Sequence, residues 1–96
     1  MSIVFVEYKI IEAKRAIYLN KAAELMQTFP AAKVYQGTDQ PGLFVEIWDG
    51  IEEEQFHAWK QVRISGSMPL WREINACIKG GADRLHIWRF SSLPKQ

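Results

Sequence analysis

The sequence predicts an α+β domain in which four antiparallel strands carry every helix on one face. Three observations predict it. Runs rich in β-branched and aromatic residues alternate with amphipathic helical stretches in the order β-α-β-β-α-(α)-β. Between the second and third strands lies a short turn, Gly37-Thr38-Asp39-Gln40-Pro41-Gly42, whose glycines and proline make those strands a hairpin. The length of 96 residues allows one core, so the chain 1–96 is read as a single domain with its core over 3–90.

Residues 3–10 alternate β-branched, aromatic and charged side chains and form the first strand. Over 14–29, Tyr18, Ala22, Leu25, Met26 and Phe29 recur at helical spacing, and Pro30 stops that helix because the residue before a proline is driven out of the helical region. Residues 32–36 and 43–48 are the hairpin strands, closed by Asp49-Gly50. The second helix covers 51–64. It has Glu52, Glu53 and Glu54 in its first turn, where the helix dipole favours negative charge, and Ile51, Phe56, Trp59 and Val62 as an inward stripe. Ser65-Gly66-Ser67 breaks it. Ser67 and Pro69 read as the cap and first turn of a shorter helix over 69–79 carrying Leu70, Trp71, Ile74, Cys77 and Ile78; Lys79-Gly80-Gly81 ends it. The last strand covers 84–90, and 91–96 is a loose tail around Pro94. Right-handed crossovers plus the hairpin give the spatial order 4-1-3-2, the ferredoxin-like arrangement.

Alternation splits each strand between two faces. The side expected under the helices takes Val4, Val6, Tyr8 and Ile10, then Leu43, Val45 and Ile47, then Leu85 and Ile87. The open side takes Phe5, Glu7, Lys9, Tyr35, Phe44, Glu46, Trp48, His86, Trp88 and Phe90. Such an aromatic surface, on the order of several hundred Å², is seldom left open by a monomer. Burying it at roughly 25 cal/mol per Å² contributes on the order of 10 kcal/mol before the costs of association. A homodimer through this aromatic sheet face is therefore expected.

Composition narrows the function. A formal charge of +1 from 12 basic and 11 acidic residues leaves no basic tract for nucleic acid or an anionic membrane. One cysteine, Cys77, rules out an internal disulfide framework and a thiolate zinc site. No apolar run approaches the roughly 20 residues of a membrane span, and the first residues lack the pattern of a secretory signal, so the chain is read as cytoplasmic.

The third strand ends in Leu43-Phe44-Val45-Glu46-Ile47-Trp48, an acidic helix start leads into Glu54-Gln55-Phe56-His57-Ala58-Trp59, and the chain closes on Leu85-His86-Ile87-Trp88-Arg89-Phe90. With the element order over about 3–90, this resembles the dimeric α+β barrel superfamily of antibiotic-biosynthesis and heme-degrading monooxygenases. The resemblance implies a homodimer with a hydrophobic small-molecule cavity between helices and sheet in each subunit. The heme-degrading branch carries an asparagine on strand 1, a tryptophan on helix 2 and a histidine on the following helix. Here Trp59 fits the tryptophan, strand 1 offers Glu7 or Tyr8, and residues 69–79 contain no histidine. The resemblance thus points away from heme degradation and towards cofactor-independent chemistry, with no cofactor and no metal.

Two residue sets are candidates. Glu7, Glu46 and His86, on neighbouring strands, would form a proton-transfer site suited to enolisation, or else Glu7 and Glu46 would meet Lys9, Arg89 or His86 in structural ion pairs across the dimer interface. Tyr8, Trp59 and Trp71 would line a cavity or simply fill the core, and Arg63, near the break between the helices, would bind an anionic ligand or lie on the solvated surface. A sizeable enclosed cavity lined by Trp59 and Trp71 favours a ligand site; a solidly packed interior there counts against both the enzyme and the ligand-binding readings. Three functions remain open: a cofactor-independent monooxygenase or isomerase, a non-catalytic ligand-binding or stress-response dimer, and an RNA-recognition-type module, which Glu46 in the middle of the platform would oppose.

Overall fold

A computed structural model describes residues 1–95 of the chain. Strand β1 (Ser2–Lys9) lies inside the sheet, antiparallel to β3 (Leu43–Asp49) on one side and to β4 (His86–Ser91) on the other. β2 (Ala32–Gln36) pairs with the far side of β3. The spatial order β2-β3-β1-β4 is the expected 4-1-3-2 read from the opposite edge. Three helices complete the α+β fold: α1 (Arg15–Thr28), α2 (Glu53–Ser65) and α3 (Pro69–Asn75).

The element ends follow local chemistry. α2 begins with a reciprocal capping box between Glu52 and Gln55, and ends at Gly66, whose φ of 66° is a conformation glycine adopts without penalty. α3 has Pro69 in its first turn, but Met68 rather than Ser67 occupies the cap position. It also stops at Asn75, short of the expected Lys79. Beyond it the backbone turns to the end of β1: Ile78 bridges to Ile10, Ile11 N–H donates to the Cys77 carbonyl at 2.9 Å, and Lys79 N–H donates to the Lys9 carbonyl at 2.8 Å. These bonds satisfy groups that another helical turn would have used internally. Gly81–Arg84 forms a 3-10 turn, so β4 starts at His86. It runs to Ser91, into the expected tail; 92–95 are irregular, and Gln96 lies outside the described residues.

The helix stripes differ from expectation at two positions. Met26 and Val62 are 40% and 41% exposed. On α2 the inward line runs Phe56, Trp59, Arg63, spaced three and four apart, which turns Val62 aside and carries Arg63 into the interior.

The larger correction concerns β3. Val4 pairs with Trp48, Val6 with Glu46 and Tyr8 with Phe44. Directly paired residues share a face. Phe44, Glu46 and Trp48 therefore lie beneath the helices with Val4, Val6, Tyr8 and Ile87, and all are buried. Leu43, Val45 and Ile47 lie on the open face instead, beside Phe5, Tyr35, Trp88 and Phe90. Two aromatic rings enclose more apolar area than the aliphatic side chains they displace. The carboxylate that accompanies them inward is matched by polar partners already inside.

Candidate functional site

Those partners form a hydrogen-bonded cluster. Glu46, in the middle of β3, accepts at Oε1 from Trp48 Nε1 (2.9 Å) and at Oε2 from Tyr8 Oη (2.5 Å) and Arg63 Nη2 (2.6 Å). Since the Tyr8 proton goes to Glu46, Tyr18 donates to Tyr8 Oη across 2.7 Å. Arg63, from the last turns of α2, donates through Nη1 to Asn75 Oδ1 at 2.8 Å, and Asn75 Nδ2 donates back to the Arg63 carbonyl at 3.2 Å. The guanidinium carbon lies 4.5 Å from the centre of a Trp71 ring, a cation–π contact. Arg63 Nε is buried and has no hydrogen-bond partner. Burial, reinforced by the Glu46 charge, pushes the Tyr8 hydroxyl well above its ordinary 10.0. Burial does the same to Tyr18.

Above this cluster the rings close together. Phe29 stacks on Trp71 at 5.4 Å and meets Trp48 at 5.3 Å, and Trp59 meets Trp48 edge-on at 5.1 Å. Tyr8, Trp71, Glu46 and Arg63 expose 1%, 3%, 0% and 0% of their surfaces, so this part of the interior is filled rather than open. Trp59, half-buried, is the indole of the group that reaches the surface. Arg63 does lie near the break between helices, but it is neither on the surface nor open to an anionic ligand: it is the buried counter-charge of Glu46.

The expected trio is split. Glu46 is sealed under the helices, because it pairs with Val6 on the inner face. Glu7 and His86 are direct neighbours on the open face. This also removes Glu46 as an obstacle on an exposed stacking platform, a position that Glu7 holds instead. At that end of the sheet lies an open groove of about 760 Å³, lined by Glu7, Tyr8 and Lys9 from β1, Leu43 from β3, His86 from β4, and Lys79, Gly80 and Arg84 from the segment between α3 and β4. The imidazole of His86 stacks parallel to the Trp88 indole at 5.7 Å. A second groove of about 900 Å³ adjoins it and shares Lys9 and Lys79.

Sequence reasoning missed Tyr18, Trp48 and Asn75 as members of the cluster, and Lys9, Lys79 and Arg84 as groove residues. Tyr18 and Trp48 carried a signal, since both are ring residues with a polar atom that needs a partner when buried. Asn75 had one as well, as a polar residue on the apolar side of a short helix. His57 is exposed, and Cys77 is buried, which raises its thiol. No described helix is long and apolar enough to cross a membrane.

Neither a family model nor a curated protein matches this sequence. Solved structures do match its shape. An antibiotic biosynthesis monooxygenase aligns with a TM-score of 0.73 at 17% identity, over 98% of this chain and 100% of that one. A conserved protein from Methanosarcina mazei Go1 aligns at 0.69 with 13% identity, over 94% of this chain and 91% of that one. A protein from Nitrosomonas europaea, provisionally named an antibiotic biosynthesis monooxygenase, aligns at 0.65 with 17% identity, over 98% and 100%. These likenesses establish the ferredoxin-like fold of that structural group.

Proposed function

We propose that the chain is a homodimeric small-molecule-binding protein whose ligand occupies the groove between Glu7 and His86, and that it moves a proton on that ligand as an isomerase does. The observation that carries the reading is the placement of an acid and an imidazole on adjacent strands at an open cavity, while the interior beside Trp71 is filled. The chemistry is enolisation. Glu7 takes a proton from a carbon beside a carbonyl, the C–H electron pair moves to the carbonyl oxygen, and His86 donates a proton to that oxygen. Leu43 supplies an apolar wall for the carbon skeleton. The dimer rests on the open face, where Phe5, Trp88 and Phe90 form a ring cluster with centroids 6.1 Å and 6.4 Å from Phe5. That cluster adjoins the groove, since Phe5 pairs with Trp88 one step along the face from the Glu7–His86 pair and His86 stacks on Trp88, while Phe90, paired with Ile3, lies a further step away.

The test is solvent deuterium exchange beside the carbonyl of methyl propyl ketone, followed by NMR. Exchange above the solvent rate, reduced about tenfold or more by Glu7→Gln, is expected. Exchange that never exceeds the solvent rate removes the proton-transfer reading.

One observation favours a second reading, an oxygenase with an interior site, as the names of the structural neighbours suggest. The unpartnered Arg63 Nε is a buried donor that a ligand carbonyl would satisfy once Trp59 swings aside. In that case Trp59→Ala changes the binding of a phenolic probe such as naphthol more than it changes stability; equal loss of both marks Trp59 as core.

A further inference from the structure

We infer that the groove selects ligands bearing a carboxylate or phosphate group, which Lys79 and Arg84 hold; this substrate class rests on the groove being the ligand site. Three cationic residues, Lys9, Lys79 and Arg84, line the groove, with Glu7 as the single acid in that lining. Among the described residues, none of the three side chains forms an ion pair or a hydrogen bond; the salt bridges lie elsewhere, at Lys21 and Arg63. Unneutralised cations converging on a concave surface concentrate field there and attract an anion more strongly than the same charges spread over a flat one.

The backbone brings them together. The bond from Lys79 N–H to the Lys9 carbonyl ties the segment after α3 to the end of β1 and sets two of the cations side by side. Arg84 folds back over Gly80. A Cβ at Gly80 would come within 2.5 Å of Arg84 Cγ and 3.6 Å of Nε, whereas one at Gly81 would meet nothing within 4 Å. Both glycines have positive φ, 86° and 71°, so alanine strains the backbone at either. Only at Gly80 does it also occupy the place of the Arg84 side chain. The missing side chain of Gly80 is therefore what lets Arg84 lie along the groove wall. With the anionic group held at Lys79 and Arg84, the rest of the ligand extends towards Glu7 and His86.

The full chain is titrated, by backbone amide NMR at neutral pH, with levulinate, with inorganic phosphate and with uncharged methyl propyl ketone. Saturable shifts with levulinate at residues 79–86, at least about fivefold tighter than with the neutral ketone, are expected; phosphate binding in place of levulinate identifies phosphate as the group recognised. Arg84→Ala, an exposed position, should weaken the anion about 5- to 10-fold and the neutral ketone less. Gly80→Ala should weaken it similarly, and Gly81→Ala should not. Equal affinity for the charged and neutral ketones, no saturable anion binding, or an Arg84→Ala variant that binds the anion as wild type overturns the assignment. Deuterium exchange is followed on a ketone that carries no anionic group, so failure of the anion preference and failure of proton transfer are read separately.

Discussion

The carboxylate of Glu46 and the guanidinium of Arg63 meet at 2.6 Å with both side chains wholly removed from solvent. Two ions taken out of water incur a desolvation penalty of several kcal/mol each, which their attraction offsets only when geometry and hydrogen bonding are good. Here Tyr8, Trp48 and Asn75 supply that bonding. Removing one partner is therefore expected to cost far more than removing both. Glu46→Gln should destabilise the fold by about 3–5 kcal/mol in urea denaturation. The double variant Glu46→Leu with Arg63→Met should recover most of that loss. A single variant within about 0.5 kcal/mol of wild type would show that the pair does not hold the interior together.

The buried tyrosines predict an alkaline limit to stability. Tyr8 and Tyr18 hold their protons more tightly folded than unfolded, chiefly because burial penalises the phenolates. Their contribution is complete below the unfolded value of 10.0 and is lost as pH rises through the folded values. Stability should thus fall above about pH 10, by up to about 1.4 kcal/mol per pH unit for each tyrosine. Tyr18→Phe should flatten that fall when Tm is followed against pH, and an unchanged slope would show that the Tyr18 hydroxyl, hydrogen-bonded to Tyr8, does not set this limit.

The open face predicts association. Light scattering at micromolar concentration should report a dimer. Replacing Phe90 by glutamate puts a charge into the Phe5–Trp88–Phe90 cluster, and should weaken the dimer at least about 30-fold, or about 2 kcal/mol. A wild-type monomer would remove the dimer and revive the RNA-recognition reading.

The two helix indoles should separate by burial. Trp71→Ala removes a ring stacked on Phe29 and covered by the Arg63 guanidinium, and should cost about 3–5 kcal/mol. Half-buried Trp59 should cost about half as much, with denaturant midpoints as the readout. Equal losses would place both indoles in one sealed core and remove Trp59 as a route to Arg63.

The element order, the strand order and the inner face of β1 were legible because Val4, Val6, Tyr8 and Ile10 alternate with polar or less buried neighbours and the turns carry their usual residues. The orientation of β3 was not. Both of its faces are largely apolar, and Glu46 suggests solvent to any reading that knows only the strand. Its counter-charge lies 17 residues further along, on a helix face that otherwise reads as aliphatic and aromatic. The groove was hidden for a related reason. Lys9, Arg84 and His86 are scattered in sequence, and a turn beyond α3, which periodicity extended as helix, brings them together.

Because both sides of β3 are oily, hydrophobicity alone would tolerate this strand shifted by one residue against β1, with Leu43, Val45 and Ile47 turned inward. In such an alignment Glu46 would face water and Arg63 would be stranded in oil. The ionic contact thus works as a proofreading device for strand pairing. A variant that deletes both charges could be as stable as the parent and yet populate two sheets, visible as doubled amide resonances along β3.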